Sequence, residues 1–190
     1  YAAAKCAADR LVYSYVQTYG IPAVTIRPFN NFGPRQHLEK LVPRFITSTM
    51  LNEPISIHGS GNSARDFVYV EDTCDAILKV LDAPDALVHG EVFNVASGIA
   101  RSVNEIADDV TALHGTADVQ RIFIEERPGQ VSRHCGSADK IRDTLGWSPG
   151  FGWEDGLRTT YDWYEKNRDW WSSQMNFRSI PIMNAAGKLI

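Results

Sequence analysis

Residues 23–34 read Ala-Val-Thr-Ile-Arg-Pro-Phe-Asn-Asn-Phe-Gly-Pro, and they set the fold class. Residues 23–26 are small or β-branched and predict a short buried strand, which Pro28 stops. Residues 30–34 predict a loop, because Asn-Asn-Phe-Gly-Pro is rich in turn formers. Before the strand, residues 1–19 have helical periodicity and end at Gly20. A helix followed directly by a buried strand is typical of an α/β sheet.

The rest of the chain continues this alternation. Apolar spacing predicts helices at 41–51, 71–81, 102–114, 138–145 and 154–167, and strands at 54–58, 67–70, 91–96 and 119–124. Ser102 and Glu105 have the spacing of a capping box, which starts a helix. No regular element is predicted after Trp171.

The predicted fold class is α/β: the C-terminal part of a Rossmann-type doubly wound fold plus a smaller mixed α/β substrate-binding domain. One strand at 23–28 cannot make a doubly wound sheet, and no G-x-G-x-x-G phosphate loop occurs. We therefore expect further strands and the pyrophosphate site upstream. Residues 1–35 are predicted to end the dinucleotide-binding domain. Residues 36–170 are predicted to be mainly substrate-binding, with a returning Rossmann segment near 66–96, and 171–190 an irregular tail.

Composition excludes several classes of function. The formal net charge is −4, whereas a nucleic-acid binder needs a basic face. The three cysteines lack a C-x-x-C spacing and the five histidines lack a metal-binding pattern, so we expect a reducing cytoplasm and no metal. No apolar run approaches the roughly 18 residues that a membrane helix requires, so we expect no membrane partner.

Tyr1 and Lys5 are spaced i, i+4, which places both side chains on one helix face. A neighbouring ammonium favours the phenolate form of a tyrosine, so the pair can act as an acid/base. The alternative is a surface tyrosine beside a solvated lysine. The pattern is common, and it needs support from elsewhere in the chain.

Support comes from polar residues near the ends of predicted strands, where ligands of open α/β sheets bind. Asn30 and Asn31 offer amide groups to sugar hydroxyls or a carboxamide. Arg65 and Arg127 can grip a diphosphate, and His58 can stack on a base. The alternatives are a plain turn at 30–34, solvated arginines and a structural histidine.

Taken together and in order, these blocks resemble the extended short-chain dehydrogenase family of NAD-dependent nucleotide-sugar epimerases and dehydratases, from residue 1 to about 167. The blocks are Y-x-x-x-K at 1–5, R-P-F-N-N-F-G-P at 27–34, R-D-F-V-Y-V-E-D at 65–72, F-N-V at 93–95, R-P-G at 127–129 and L-G-W at 145–147. No single block decides the matter; the ordered set does.

The resemblance implies that Tyr1 is the acid/base at the sugar's C4 hydroxyl and that Lys5 assists it and holds the nicotinamide ribose. It implies oxidation at C4 with NAD as cofactor and a nucleotide-diphosphate sugar as substrate. Pro28 and Asn31 are then cofactor residues. The implied substrate residues are Asn30, Lys40, Leu41, His58, Arg65, Asn94 and Arg127.

Within the family, residues 30–43 are most similar to the 4,6-dehydratases. Phe29, His58 and Gln130 stand where those enzymes usually have Ser, Tyr and His, and residues 27–30 look more like 4-epimerases and uronic-acid decarboxylases. Epimerisation and decarboxylation therefore stay open as alternatives. The resemblance also implies a homodimer. Because the phosphate loop is absent, we expect this chain alone to be inactive, and an incomplete chain that only binds nucleotide sugar is the alternative of another class.

Overall fold

The computed structural model describes residues 1–115, 119–127 and 129–178. The helices are α1 Ala2–Tyr19, α2 Leu41–Met50, α3 Val70–Leu81, α4 Asp85–Val88, α5 Val103–His114, α6 Asp139–Leu145, α7 Trp153–Lys166 and α8 Arg168–Ser172, followed by a 3-10 turn, Met175–Phe177. The strands are β1 Thr25–Pro28, β2 Asn30–Phe32, β3 Ile55–His58, β4 Ala64–Tyr69, β5 Val92–Val95, β6 Ala100–Ser102, β7 Arg121–Ile124 and β8 Arg133–His134.

The strands form three small sheets in which most pairings are parallel. β1 pairs with β5, and β3 pairs with β7, both in parallel. β4 is the centre of the largest sheet, with β2 and β8 parallel to it and β6 antiparallel. Parallel pairs need crossover connections, which the helices between them provide. The α/β class predicted from the sequence is confirmed.

Two hydrophobic cores lie on either side of β2 and β4. The first contains Phe32, Phe45, Tyr69, Ile106 and Tyr164 and is built largely from α2, α5 and α7. The second contains Val68, Val80, Phe93, Ile141 and Trp147 and is built on β1, β5, α3 and α6. Successive strand residues point to opposite faces, so neighbouring residues of β4 contribute to different cores.

Helix α1 buries none of its side chains. Its Asp9 carboxylate accepts a hydrogen bond of 2.6 Å from Nε of Arg27 in β1. Leu11 and Tyr15 expose 60% and 49% of their surface. The helix therefore presents an apolar side that the described part of the chain does not cover.

The segment after α7 is anchored to α2 by Arg178, which is 5% exposed. Its guanidinium donates to the Thr47 hydroxyl at 3.0 Å and the Ser48 hydroxyl at 2.7 Å, and it pairs with Glu53. Its carbonyl oxygen accepts from Arg44 at 3.0 Å. A charged group buried with this many partners holds two distant parts of the chain together.

The structure corrects several expectations. Residues 30–32 form β2 rather than a loop, because β4 offers them a parallel partner that satisfies their backbone groups. The strand predicted at 67–70 starts earlier, at Ala64, and Val70 begins α3. The short elements α4, β6, β8 and α8 were not predicted, and the tail expected to be irregular from residue 171 is ordered as far as Arg178. Its remainder, 179–190, lies outside the described residues, as does Pro128.

Candidate functional site

Tyr1 and Lys5 lie at the start of α1, one turn apart. The Lys5 ammonium is 5.7 Å from the centre of the Tyr1 ring, and Tyr1 is 95% exposed. Among the described residues, no hydrogen bond or ring contact joins Tyr1 to a predicted site residue other than Lys5. The structure therefore brings together the predicted acid/base pair and leaves its phenol accessible.

Asn30 and Asn31 are consecutive residues of β2, so their side chains point to opposite faces of the sheet. The Asn30 amide NH₂ group donates to the carbonyl of Asp66 at 3.1 Å, and among the described residues no group donates to its side-chain oxygen. On the other face, the Asn31 side-chain oxygen accepts from the Thr73 hydroxyl at 2.6 Å. The two predicted asparagines therefore lie side by side in β2 but on different faces of it.

Asp66 is fully buried in β4 and joins three segments. Its carboxylate accepts from the backbone N–H groups of Ser97 and Gly98, both at 2.9 Å, and of Gly136 at 3.2 Å. The Ser97 hydroxyl donates to it as well, at 2.7 Å. A buried carboxylate needs this number of donors to offset its lost hydration. Asp66 thus fixes the loops that follow β5 and β8 beside Arg65.

Three predicted substrate residues lie in or beside the segment between β7 and the end of β8. His58 Nδ1 lies 2.8 Å from the carbonyl oxygen of Glu125. Arg65 pairs in register with His134, and its guanidinium donates to the Ala64 carbonyl at 2.8 Å. The turn after Arg127 is tied to the start of β4 by Gln130, whose amide donates to Ser63 at 3.1 Å. His58 and Arg65 therefore lie beside opposite ends of the segment to which Arg127 belongs.

The remaining predicted residues are spread along two strand ends and one helix start. Asn94 lies opposite Arg27, and Pro28 opposite Val95, in the β1–β5 pair. Lys40 is the residue before α2, and its ammonium pairs with Glu39 at 2.8 Å. Leu41 packs against the first core. Leu41 is thus held by packing, while Lys40 is already paired.

Two further ionisable groups lie where α3 begins. Burial raises the pKa of Asp72, although the N–H groups of Gly150 and Phe151 donate to its carboxylate. Burial and the nearby Glu71 carboxylate raise the pKa of Tyr69, so its hydroxyl keeps its proton. Among the described residues, that buried hydroxyl has no hydrogen-bond partner.

Asp66 and Thr73 were not among the predicted site residues. Asp66 had a usable signal, because an acidic residue directly before the apolar run Phe67 to Val70 of a strand needs partners when it is buried. Thr73 had no such signal in the sequence, because its hydroxyl donates to Asn31 in β2, 42 positions away.

A tyrosine and a lysine one turn apart on α1, in an α/β fold with parallel strands, agree with the class of short-chain dehydrogenase-like enzymes that the motifs resemble. Residues 1–96 match the model of the NAD dependent epimerase/dehydratase family. The chain belongs to this family, and the resemblance drawn from its motifs is confirmed.

Individual relatives narrow the comparison. A dTDP-glucose 4,6-dehydratase of Xanthomonas campestris is 35% identical over 179 residues, which cover 90% of this chain and 50% of the relative. The crystal structure of a Bacillus anthracis dTDP-glucose 4,6-dehydratase in complex with NAD has a TM-score of 0.85 at 31% identity, covering 91% of this chain and 54% of that one.

A UDP-glucose 4-epimerase of Thermotoga maritima, solved with UDP-glucose, has a TM-score of 0.82 at 27% identity, covering 88% of this chain and 54% of that one. The chain spans a quarter to about half the length of the curated relatives it matches. None of the helices in the described ranges is long and apolar enough to cross a membrane.

Proposed function

We propose that the complete protein is an NAD-dependent nucleotide-sugar 4,6-dehydratase and that this chain carries its acid/base and most of its substrate site. The observation that carries the proposal is the Lys5 ammonium 5.7 Å from the Tyr1 ring on an exposed helix start. An exposed phenol beside a lysine can take the proton of a substrate alcohol, which is the step that oxidation of an alcohol requires.

Tyr1 takes the proton of the sugar's C4 hydroxyl while the hydrogen on C4 leaves with its electron pair, so a C4 carbonyl forms. NAD, when bound, would supply the acceptor of that hydride and would later return it. The carbonyl acidifies the proton on C5, and loss of this proton together with the C6 hydroxyl eliminates water. Return of the hydride to C6 and a proton to C5 completes a 4-keto-6-deoxy sugar.

The donors present suit the nicotinamide end of NAD. Lys5 provides an ammonium for ribose hydroxyls. Thr73 donates to the side-chain oxygen of Asn31, which leaves the amide NH₂ group of Asn31 for the nicotinamide. Pro28 ends β1, three residues before Asn31 in the sequence. We assign these residues, with Tyr1, to the cofactor.

The substrate's diphosphate and base are assigned to a second group of residues. Arg65 and Arg127 supply positive charge for phosphates, and His58, held by its contact with Glu125, offers a ring for the base. Asn30 presents its amide oxygen. Lys40, Leu41 and Asn94 complete the proposed substrate set, with Lys40 released from Glu39 when it binds an anion.

A 4-epimerase is the second candidate, because the Thermotoga maritima epimerase matches almost as much of the chain as the dehydratases do. The two reactions share the C4 carbonyl and differ in its fate. Nuclear magnetic resonance of the product distinguishes them. A 4-keto-6-deoxy sugar supports the dehydratase, and a C4-inverted sugar supports the epimerase.

Tyr1→Phe in the complete protein tests the proposal. We expect turnover to fall about 10²- to 10⁴-fold, the usual contribution of a positioned acid/base. We expect nucleotide-sugar affinity, measured by calorimetry, to stay unchanged. Tyr13→Phe is the matched control, because Tyr13 lies on the same helix and is half exposed. Unchanged turnover of Tyr1→Phe overturns the assignment.

The proposal extends to the assembly, the domains and the location of the protein. The uncovered apolar side of α1 supports a homodimer. The two cores support the division into a dinucleotide-binding part and a substrate-binding part. Three exposed free cysteines support a cytoplasmic location, since thiols persist in reducing compartments.

A further inference from the structure

Asn31 is held from two directions inside the described part of the protein. The Thr73 hydroxyl donates to its side-chain oxygen at 2.6 Å. The Gln36 side-chain amide donates to its backbone oxygen at 2.7 Å. Backbone and side chain are thus restrained separately, the first by a loop residue and the second by a helix residue.

The Thr73 contact determines which way the Asn31 amide faces. A hydroxyl in the first turns of a helix often donates to a carbonyl of the preceding turn, but Thr73 directs its proton to Asn31 instead. With its oxygen held, Asn31 turns its NH₂ group the other way. Within the described ranges, no protein group accepts a hydrogen bond from that NH₂ group. Both of its N–H donors are therefore available to a ligand.

Thr73 is well suited to hold another side chain in place. It is 7% exposed, and its β-branched side chain has few rotamers. The start of α3 is also packed tightly against the end of β2. A Cβ added to Gly33 would lie 2.6 Å from Cγ1 of Val70. Helix and strand therefore have little freedom to separate.

We propose that Thr73 is a positioning residue that orients the Asn31 amide for the nicotinamide end of NAD. The proposal rests on the assignment of Asn31 to the cofactor made above. It predicts that affinity for NAD depends on a hydroxyl group at position 73, and that this dependence acts through Asn31 and leaves nucleotide-sugar affinity unchanged.

The test is a double-mutant cycle in the complete protein, read out as the Kd for NAD by calorimetry. We expect Thr73→Val, which keeps the shape and removes the hydroxyl, to weaken NAD binding about five- to tenfold. Thr73→Ser keeps the hydroxyl and is expected to bind NAD like the wild type. In an Asn31→Ala background, Thr73→Val is expected to have no further effect.

Each other outcome has a defined meaning. If Asn31→Ala leaves NAD affinity unchanged, the assignment of Asn31 to the cofactor fails. If Asn31→Ala weakens NAD binding and Thr73→Val does not, the positioning role alone is overturned. Equal weakening by Thr73→Ser and Thr73→Val also overturns it, because packing rather than the hydroxyl would then matter. Circular dichroism checks folding, and Thr73→Ala replaces the valine variant if the latter does not fold.

Discussion

Neighbouring residues of β2 differ in what they can bind because of the pleat of the strand. Asn30 pairs with Phe67 and Asn31 with Val68, and these partners belong to different cores. The two amides therefore lie on opposite faces; Asn30 donates its NH₂ group to Asp66, and Asn31 accepts from Thr73 through its oxygen. This separation is compatible with one asparagine serving a sugar and the other a cofactor.

Gly33 follows these residues at a point of close approach to α3. We expect Gly33→Ala to lower the free energy of unfolding by about 1–3 kcal/mol, the usual cost of overpacking, because its Cβ would lie 2.6 Å from Cγ1 of Val70. Urea denaturation measures the change. In a Val70→Ala background that methyl is absent, and the cost of Gly33→Ala should shrink. An equal cost in both backgrounds would contradict steric crowding by Val70.

At the residue scale, the sequence was informative where the chemistry is local. Tyr1 and Lys5 meet because their spacing matches one helical turn, and this was predictable. Asp66 and Thr73 act across 31 to 70 positions of sequence, so their partners depend on which strands pair. No pattern within a short window contains that information.

At the scale of elements, the capping box of α5 was predicted and is confirmed. The Ser102 hydroxyl accepts from the backbone N–H of Glu105 at 3.2 Å, and the Glu105 carboxylate accepts from that of Ser102 at 2.6 Å. These hydrogen bonds lower the pKa of Glu105 below its ordinary value of 4.5.

This shift predicts a pH dependence of stability. Because the folded-state pKa is the lower one, ionised Glu105 stabilises the fold above about pH 4.5, and this contribution is lost as the pH falls through the folded-state pKa. The stability difference between wild type and Glu105→Gln, from thermal melts at about pH 3 to 7, should narrow toward acid pH. In a Ser102→Ala background, the stability difference between Glu105 and Glu105→Gln should change less with pH. A stability difference that does not change with pH would refute the linkage.

Long amphipathic elements were predictable, whereas short ones were not. Helices α2, α3, α5, α6 and α7 start and stop within three residues of their predicted limits, because each has its own apolar face and end signals. β6 and β8 have three and two residues and exist because β4 has edges to pair with. Residues 30–32 predict a loop for a related reason: Asn30, Asn31 and Gly33 favour a turn, and only the pairing with β4 makes β2 a strand.

At the scale of the whole molecule, the uncovered side of α1 predicts self-association of the complete protein. We expect light scattering to give the mass of a dimer, and Leu11→Asp to shift it toward the monomer, because a charge there opposes burial of an apolar side chain. Ile99→Asp is the matched control, since Ile99 and Leu11 are both 60% exposed. A wild-type monomer at high concentration would rule out the proposed dimer.

The contact between Arg178 and α2 can form only after most of the chain has been synthesised on the ribosome. Thr47 is synthesised 131 positions before the arginine that donates to it. At about 5 to 20 residues per second, that interval is roughly 7 to 26 seconds. Until Arg178 has been added, the hydroxyls of Thr47 and Ser48 near the C-terminal end of α2 lack the guanidinium that donates to them in the complete fold. The hydrogen bonds that tie Arg178 to α2 therefore form late in biosynthesis, after α5 and α7 have been made.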